Sequence, residues 1–153
     1  MERTQLQEKI TGLYPNASLI EEGIEYLAFE VVPGGFHAFC EQLKNDPDLS
    51  FDYLFCVTAV DRPEAFKMVY HFQSTTHGHE MVIKVKIEDK ENPKVDTVCD
   101  IWATAELHER EAYDLMGIEF NNHPDLRRLF LTDDWVGFPL RKDYVDEINV
   151  VNL

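Results

Sequence analysis

Apolar side chains recur at two periods along this chain, and the switches between them mark out its elements. In RTQLQEKITGLYP, Leu6, Ile10 and Leu13 fall at helical spacing, with Gly12 and Pro15 as stop signals. ASLIEEGIEYLAFEVV reads as two strands around Gly23, with Ile24, Tyr26 and Ala28 alternating against polar neighbours. Pro33 can open a second helix, GGFHAFCEQLKNDP, whose Phe36, Phe39 (or Cys40) and Leu43 share one face. SFDYLFCVTAVD is dense in aromatic and β-branched residues, as expected of a central, mostly buried strand. AFKMVYHFQS and HEMVIKVKIED alternate with period two, and TTHGH between them supplies the glycine of a hairpin turn. NPKVDTVCDIW then connects to a third helix, from about Ala103 to Met116, which Gly117 can cap in the left-handed conformation.

Beyond Phe120 the periodicity is lost, and Pro124, Gly137, Pro139 and paired charges predict an irregular tail with one helical turn at most. The order α-β-β-α-β-β-β-α predicts an α+β fold: a two-layer domain with a mixed β-sheet and packed helices, over residues 1–120. Residues 121–153 form an extended, irregular C-terminal arm. An isolated domain gains little from so long an irregular segment, so the arm is expected to bind a partner.

Composition narrows the function. The 153 residues are 44% hydrophobic and 12% aromatic, which suits a folded chain. No apolar run approaches the ~20 residues needed to cross a bilayer, and MERTQLQEKI has no signal-peptide core. The expectation is a soluble, unexported protein, without direct membrane insertion. A formal charge of −15 argues against nucleic acid and against docking on anionic lipid. Cys40, Cys56 and Cys99 are odd in number, widely spaced and set in apolar segments, and read as buried free thiols.

Candidate chemistry is sparse. His71, His77 and His79, with Glu80, gather at the hairpin, and a stand-alone metal-dependent hydrolase would use them. However, His77 and His79 flank a turn glycine, where side chains face solvent, and no H-E-x-x-H is present. VVPGGF lacks the spacing and the lysine of a phosphate loop, and no Ser or Cys sits in a glycine-flanked elbow. Asp52, Asp61 and Asp100 read as strand-end caps. Neither catalytic residues, nor metal ligands, nor cofactor sites are expected in this chain alone.

The charge of the third helix is more informative. Arg110 has Glu106 four residues before it and Asp114 four after, which reads as an exposed ladder of ion pairs contributing ~0.2–0.5 kcal/mol each. In the arm, Arg127 with Arg128 and Arg141 with Lys142 are the densest cations, set beside Trp, Tyr, Phe and Leu. That is the composition of interface anchors.

In order and spacing, EREAYDLMGIEF, HPDLRRL and DDWVGFPLRKDY resemble the signature of the C subunit of NADH:quinone oxidoreductase, the 30 kDa subunit family of respiratory complex I. The match is strong over roughly residues 102–144 and weaker upstream, through VYHFQSTTHGHEMVIKVKI. The resemblance implies a peripheral, non-redox subunit on the cytoplasmic side of a bacterial inner membrane. Such a subunit has no flavin, no iron–sulfur cluster and no other cofactor. It would support the quinone module of a proton-translocating NADH dehydrogenase by embracing the D-type (49 kDa) subunit, here a separate polypeptide.

Carried over by position, the motif of the helix is Glu109, Arg110, Glu111 and Asp114, followed by Gly117, His123, Pro124, Arg127 and Arg128. The last segment is Trp135, Gly137, Pro139, Leu140, Arg141, Lys142, Asp143 and Tyr144. Phe138 stands where the family commonly has His, Val145 where it has Pro, and Phe130 where it has an aliphatic residue. Related chains also occur in membrane-bound hydrogenases and in complex I-like enzymes with another electron donor, and nothing here contacts the donor. Replacing Arg127 and Arg128 with Ala is expected to weaken assembly and leave the isolated fold largely intact.

Overall fold

Two antiparallel strands, β4 (Phe66–Gln73) and β5 (Glu80–Ile87), lie inside a five-stranded sheet. They are joined through Gly78, whose φ of 76° is the left-handed value the turn requires. In this computed structural model, which describes residues 1–20 and 25–146, the sheet order is β1-β2-β5-β4-β3. Its other strands are β1 (Ser18–Ile20), β2 (Leu27–Val31) and β3 (Tyr53–Asp61), and within this sheet only the β2–β5 pair is parallel. The sheet is therefore mixed, as expected of the α+β class. Gly23 and Ile24 fall outside the described residues.

Strand alternation divides the sheet into two unlike faces. The row Phe29–Ile83–Tyr70–Val57 belongs to the main core. There it meets α1 (Arg3–Leu13) through Leu6 and Ile10, and α2 (Phe36–Asn45) through Phe36, Phe39, Cys40 and Leu43. The neighbouring row Ala28–Val82–His71–Cys56 looks the other way, and Ala28 and Val82 join Val69 in a small separate cluster. Both Phe39 and Cys40 are buried, so the second helix buries a broader stripe than one alternative required. Gly12 lies inside α1 rather than ending it.

β3 is an edge strand, not a central one. Its apolar composition reflects a different cover: α3 (Ala105–Met116) closes the free edge. The Val57 N–H donates to His108 Nδ1 at 3.2 Å, and Thr104 Oγ1 donates to the Leu54 carbonyl at 2.9 Å. Side chains at and within the helix thus satisfy edge groups that would otherwise be open to a further strand. The connection before α3 hides a short strand, β6 (Lys94–Asp96), which pairs in parallel with β7 (Glu119–Asn121) beyond the helix. This pair turns the chain back along α3 and delivers the arm to it.

Candidate functional site

An α-helix leaves its last four carbonyls without intrahelical donors. In α3 these belong to Tyr113, Asp114, Leu115 and Met116, and the arm supplies donors to three of them. Gly117 N–H caps Tyr113 at 2.9 Å, as a left-handed glycine should. Arg128 Nη1 then donates to the Asp114 carbonyl at 2.9 Å, Leu140 N–H to that of Leu115 at 3.0 Å, and Arg141 Nε to that of Met116 at 2.7 Å.

Asp114 is the second anchor. Its carboxylate, fully buried, accepts the N–H groups of Leu129, Phe130 and Leu131 at 3.1, 2.6 and 3.1 Å and Arg128 Nη1 at 3.0 Å. Burial pushes its pKa up, but these hydrogen bonds outweigh burial and hold it below the usual carboxylate range. Arg110 is also buried, and it does not pair with Glu106 or Asp114 in a surface ladder. Its Nε and Nη2 donate to the carbonyls of Arg127 and Arg128, at 3.2 and 3.1 Å. Backbone acceptors of the arm, invisible to residue spacing, replace the acids four residues away.

Arg128 extends the anchorage, its Nη2 donating to the carbonyls of Trp135 and Gly137 at 3.0 and 3.1 Å. The Phe138 ring packs against two guanidinium groups, 5.2 Å from that of Arg128 and 4.8 Å from that of Arg141. Gly117 is the floor beneath them: a Cβ there would come within 2.6 Å of Arg141 Nη2 and of the Phe138 ring. At the far end Lys142 N–H donates to Asp61 Oδ2 at 2.9 Å, and Lys90 Nζ holds the other oxygen at 2.5 Å. Asp61 therefore links the end of β3 to the arm. Its pKa too stays below the usual range, because the Lys90 and Lys142 bonds overcome burial.

The expected motif residues thus separate. Arg110, Asp114, Gly117, Arg128 and Arg141 converge, with the backbones of Trp135, Gly137 and Leu140. Tyr144 sets its ring edge over Gly137, where a Cβ would lie 2.9 Å away. Glu111, Pro124, Arg127, Lys142 and Asp143 have exposed or half-exposed side chains, and Arg127 merely pairs with Asp125 at 3.0 Å. Pro139 is half-buried. Among its exposed charges, which include Asp133, Asp134, Lys142 and Asp143, the arm also turns apolar side chains outward: Phe130 is 66% exposed, Val136 87%, Leu140 59% and Val145 76%.

Glu109 and His123 lie apart from the anchorage. Glu109 is fully buried and accepts Thr97 Oγ1 at 2.5 Å and Val98 N–H at 2.9 Å, tying the 97–98 segment to α3. Burial pushes its carboxyl pKa up to about 7, against those two hydrogen bonds, and the charge of Asp100 adds to the rise. His123 Nε2 lies 3.8 Å from Glu109 Oε2 and 3.0 Å from the Glu106 carbonyl.

The three hairpin histidines do not meet at one point: His77 and His79 stack with ring centroids 5.5 Å apart, and His71 stands elsewhere. His71 sits against Tyr26 and Phe55, His77 Nε2 meets the Pro47 carbonyl at 2.8 Å, and His79 Nε2 meets that of Leu49 at 2.7 Å. His79 is buried rather than turned to solvent, because it reaches across to the loop after α2. Of the three free thiols only Cys40 is fully buried, while Cys56 and Cys99 are half-buried. Asp52 and Asp61 stand at the two ends of β3 as expected, whereas Asp100 lies in the turn beyond β6 and caps no strand. Their partners are distant in sequence, Asp52 accepting Thr75 N–H and Asp100 pairing with His37 at 2.8 Å.

Residues 29–148 match the family model described as respiratory-chain NADH dehydrogenase, 30 Kd subunit. The chain belongs to this family. It is 47% identical over 104 residues to the C subunit of an NADH-quinone oxidoreductase of Chloroherpeton thalassium, covering 67% of this chain and 43% of the relative. The C/D subunit of an NADH-quinone oxidoreductase of Phocaeicola vulgatus is 43% identical over 114 residues, covering 74% of this chain and 22% of the relative. The matched stretch therefore spans less than half the length of either relative. Among solved structures the chain matches, at 27% identity and a TM-score of 0.78, one from the membrane-bound sulfane sulfur reductase, an archaeal respiratory membrane complex. That match covers 95% of this chain and 86% of the other. The arm and its seat lie almost wholly within the stretch that defines the family.

Proposed function

We propose that the chain is a non-redox, peripheral component of a proton-translocating NADH:quinone oxidoreductase, and that it supports the quinone module by binding a D-type (49 kDa) partner. The observation that carries this reading is the arm: its backbone is tied to α3 while Phe130, Val136, Leu140 and Val145 face outward. A fixed backbone lowers the entropy lost on docking, and exposed apolar side chains supply the surface to bury. The C/D relative, which carries both designations in one polypeptide, supports the choice of a D-type partner. No helix among the described residues is long and apolar enough to cross a membrane, so attachment to the cytoplasmic face of the inner membrane would run through partners.

Co-expression with a separately encoded D-type protein tests this. The two should co-purify in equal amounts, and the pair Val136→Asp and Leu140→Asp should abolish capture without lowering the melting temperature of the free chain. Failure of the unmodified chain to capture the partner overturns the reading.

A second reading is the equivalent component of an enzyme fed by another electron donor, and the likeness to the sulfane sulfur reductase favours retaining it. Membranes containing the tagged chain separate the two: NADH reduces the co-purified redox centres under the first reading, and only another donor does so under the second.

A further inference from the structure

Glu109 lacks the partner that a buried carboxylate normally has. It is fully buried, yet among the described residues neither Lys nor Arg pairs with it, and the basic group beside it is His123 Nε2 at 3.8 Å. A carboxylate taken out of water needs a proton or a cation to offset its desolvation. The surroundings are those of a cation site. A ring nitrogen of His123, the Sγ of Cys99 and a carboxylate oxygen of Glu109 lie within 4.8 Å of one another. Ligand atoms around a tetrahedral centre with bonds of ~2.0–2.3 Å sit ~3.5 Å apart, so closure asks for movements of ~1 Å. We propose that Cys99, Glu109 and His123 form a three-ligand site for a divalent cation of the zinc class.

The donor set argues for that class. One thiolate, one imidazole and one carboxylate suit Zn²⁺, whereas Mg²⁺ and Ca²⁺ take oxygen alone. For two of the three ligands the supporting contacts are in place: Thr97 Oγ1 and Val98 N–H fix the Glu109 carboxylate, and Cys99 N–H donates to Thr97 Oγ1 at 3.2 Å. Cys99 also lines a cleft of ≈ 560 Å³ with His37, Asp100, Glu106 and Asn122, which gives the ion a way in and leaves its fourth position open. The acidic rim would draw a cation toward it. No sequence motif marks the site, because its ligands come from the loop before α3, from the helix and from the turn after β7.

Loading balances without any redox change. The Cys99 thiol gives up its proton to solvent, and Glu109 binds as the carboxylate. Asp125 N–H donates to His123 Nδ1 at 3.1 Å, so the neutral ring carries its proton on Nε2. Ligation through Nε2 moves that proton to Nδ1, and the exposed Asp125 N–H turns to water. The Glu106 carbonyl loses the imidazole but keeps its place in the helical hydrogen-bond ladder.

The full chain, stripped with chelator and titrated with Zn²⁺ or Co²⁺, provides the test. We expect saturation at one equivalent, and with Co²⁺ a near-ultraviolet thiolate-to-metal charge-transfer band. Cys99→Ser should remove the band, and Cys56→Ser should leave it. Glu109→Gln should weaken binding at least tenfold while keeping the fold, since an amide can still accept from Val98 N–H and pair with Thr97. If Glu109→Gln fails to fold, the charge-transfer band in Cys99→Ser decides alone. The proposal is overturned by absence of saturable binding at one equivalent, or by binding and spectra unchanged in Cys99→Ser.

Discussion

Arg128 grips Asp114 twice, at the carboxylate (3.0 Å) and at the main-chain carbonyl (2.9 Å), while its other nitrogen holds the carbonyls of Trp135 and Gly137. One guanidinium thus joins the helix end to two places on the arm. The two neighbouring arginines of HPDLRRL consequently have different duties, although adjacency makes them look alike. Arg127 is exposed and pairs only with Asp125.

Arg128→Ala should therefore release the arm of the free chain, not simply weaken a partner contact. Removing one half of a buried charge pair costs about 3–5 kcal/mol, so the melting temperature should fall by several degrees and residues 129–141 should become sensitive to protease. Arg127→Ala should change stability by less than about 0.5 kcal/mol. Equal effects of the two substitutions would refute this division of roles.

Acid should loosen the same contact at a lower pH than an ordinary aspartate would allow. Because the folded pKa of Asp114 is depressed, its stabilisation is complete above the unfolded value of ~3.9 and is lost as pH falls through the folded one. Trp135 reports on the arm and Trp102 on the core, so fluorescence of a Trp102→Phe variant should show an arm transition only below about pH 4. Asp114→Asn should be looser at neutral pH and lose that acid transition.

Gly117→Ala separates backbone strain from the seating of the arm. Its φ is 71°, and an added methyl would meet Arg141 and Phe138 at 2.6 Å. Gly78→Ala meets the same backbone demand at a φ of 76°, with nothing within 4 Å of the new Cβ. Strain alone costs roughly 1–2 kcal/mol. The Gly117 variant should exceed the Gly78 variant in loss of melting temperature, the excess measuring the closure of the arm.

The thiols should react in two classes. Burial pushes all three thiol pKa values up, most of all that of fully buried Cys40. An aromatic disulfide reagent should modify Cys56 and Cys99 slowly in the native chain and Cys40 only on unfolding. Rapid native modification of Cys40 would contradict the packing of α2.

Periodicity carried the parts of the fold in which one face of an element is buried. Leu6 and Ile10 mark α1, Phe36 to Leu43 mark α2, and the two alternating runs about Gly78 mark the hairpin. It failed where cover comes from an unusual side. β3 looks central because α3, not a sixth strand, shields its edge, and β6 and β7 are three residues each and meet only after the helix intervenes. Several residues of the family motif gather at the end of α3, but the motif does not tell how their charges are used. Arg110 seemed made for Glu106 and Asp114, yet its acceptors are main-chain carbonyls, which no residue pattern encodes. The grouping of Cys99, Glu109 and His123 left no trace in spacing, since three separate segments supply it.

The carbonyl end of α3 bears on the order of events during synthesis. Met116 leaves the ribosome well before Arg141, the residue that satisfies its carbonyl. At ~5–20 residues per second, the helix waits on the order of 1–5 s for its own terminus to be completed. A nascent chain paused in that interval would present a formed sheet and an unfinished helix, and the final cooperative step would follow emergence of the last arginine rather than of the last strand.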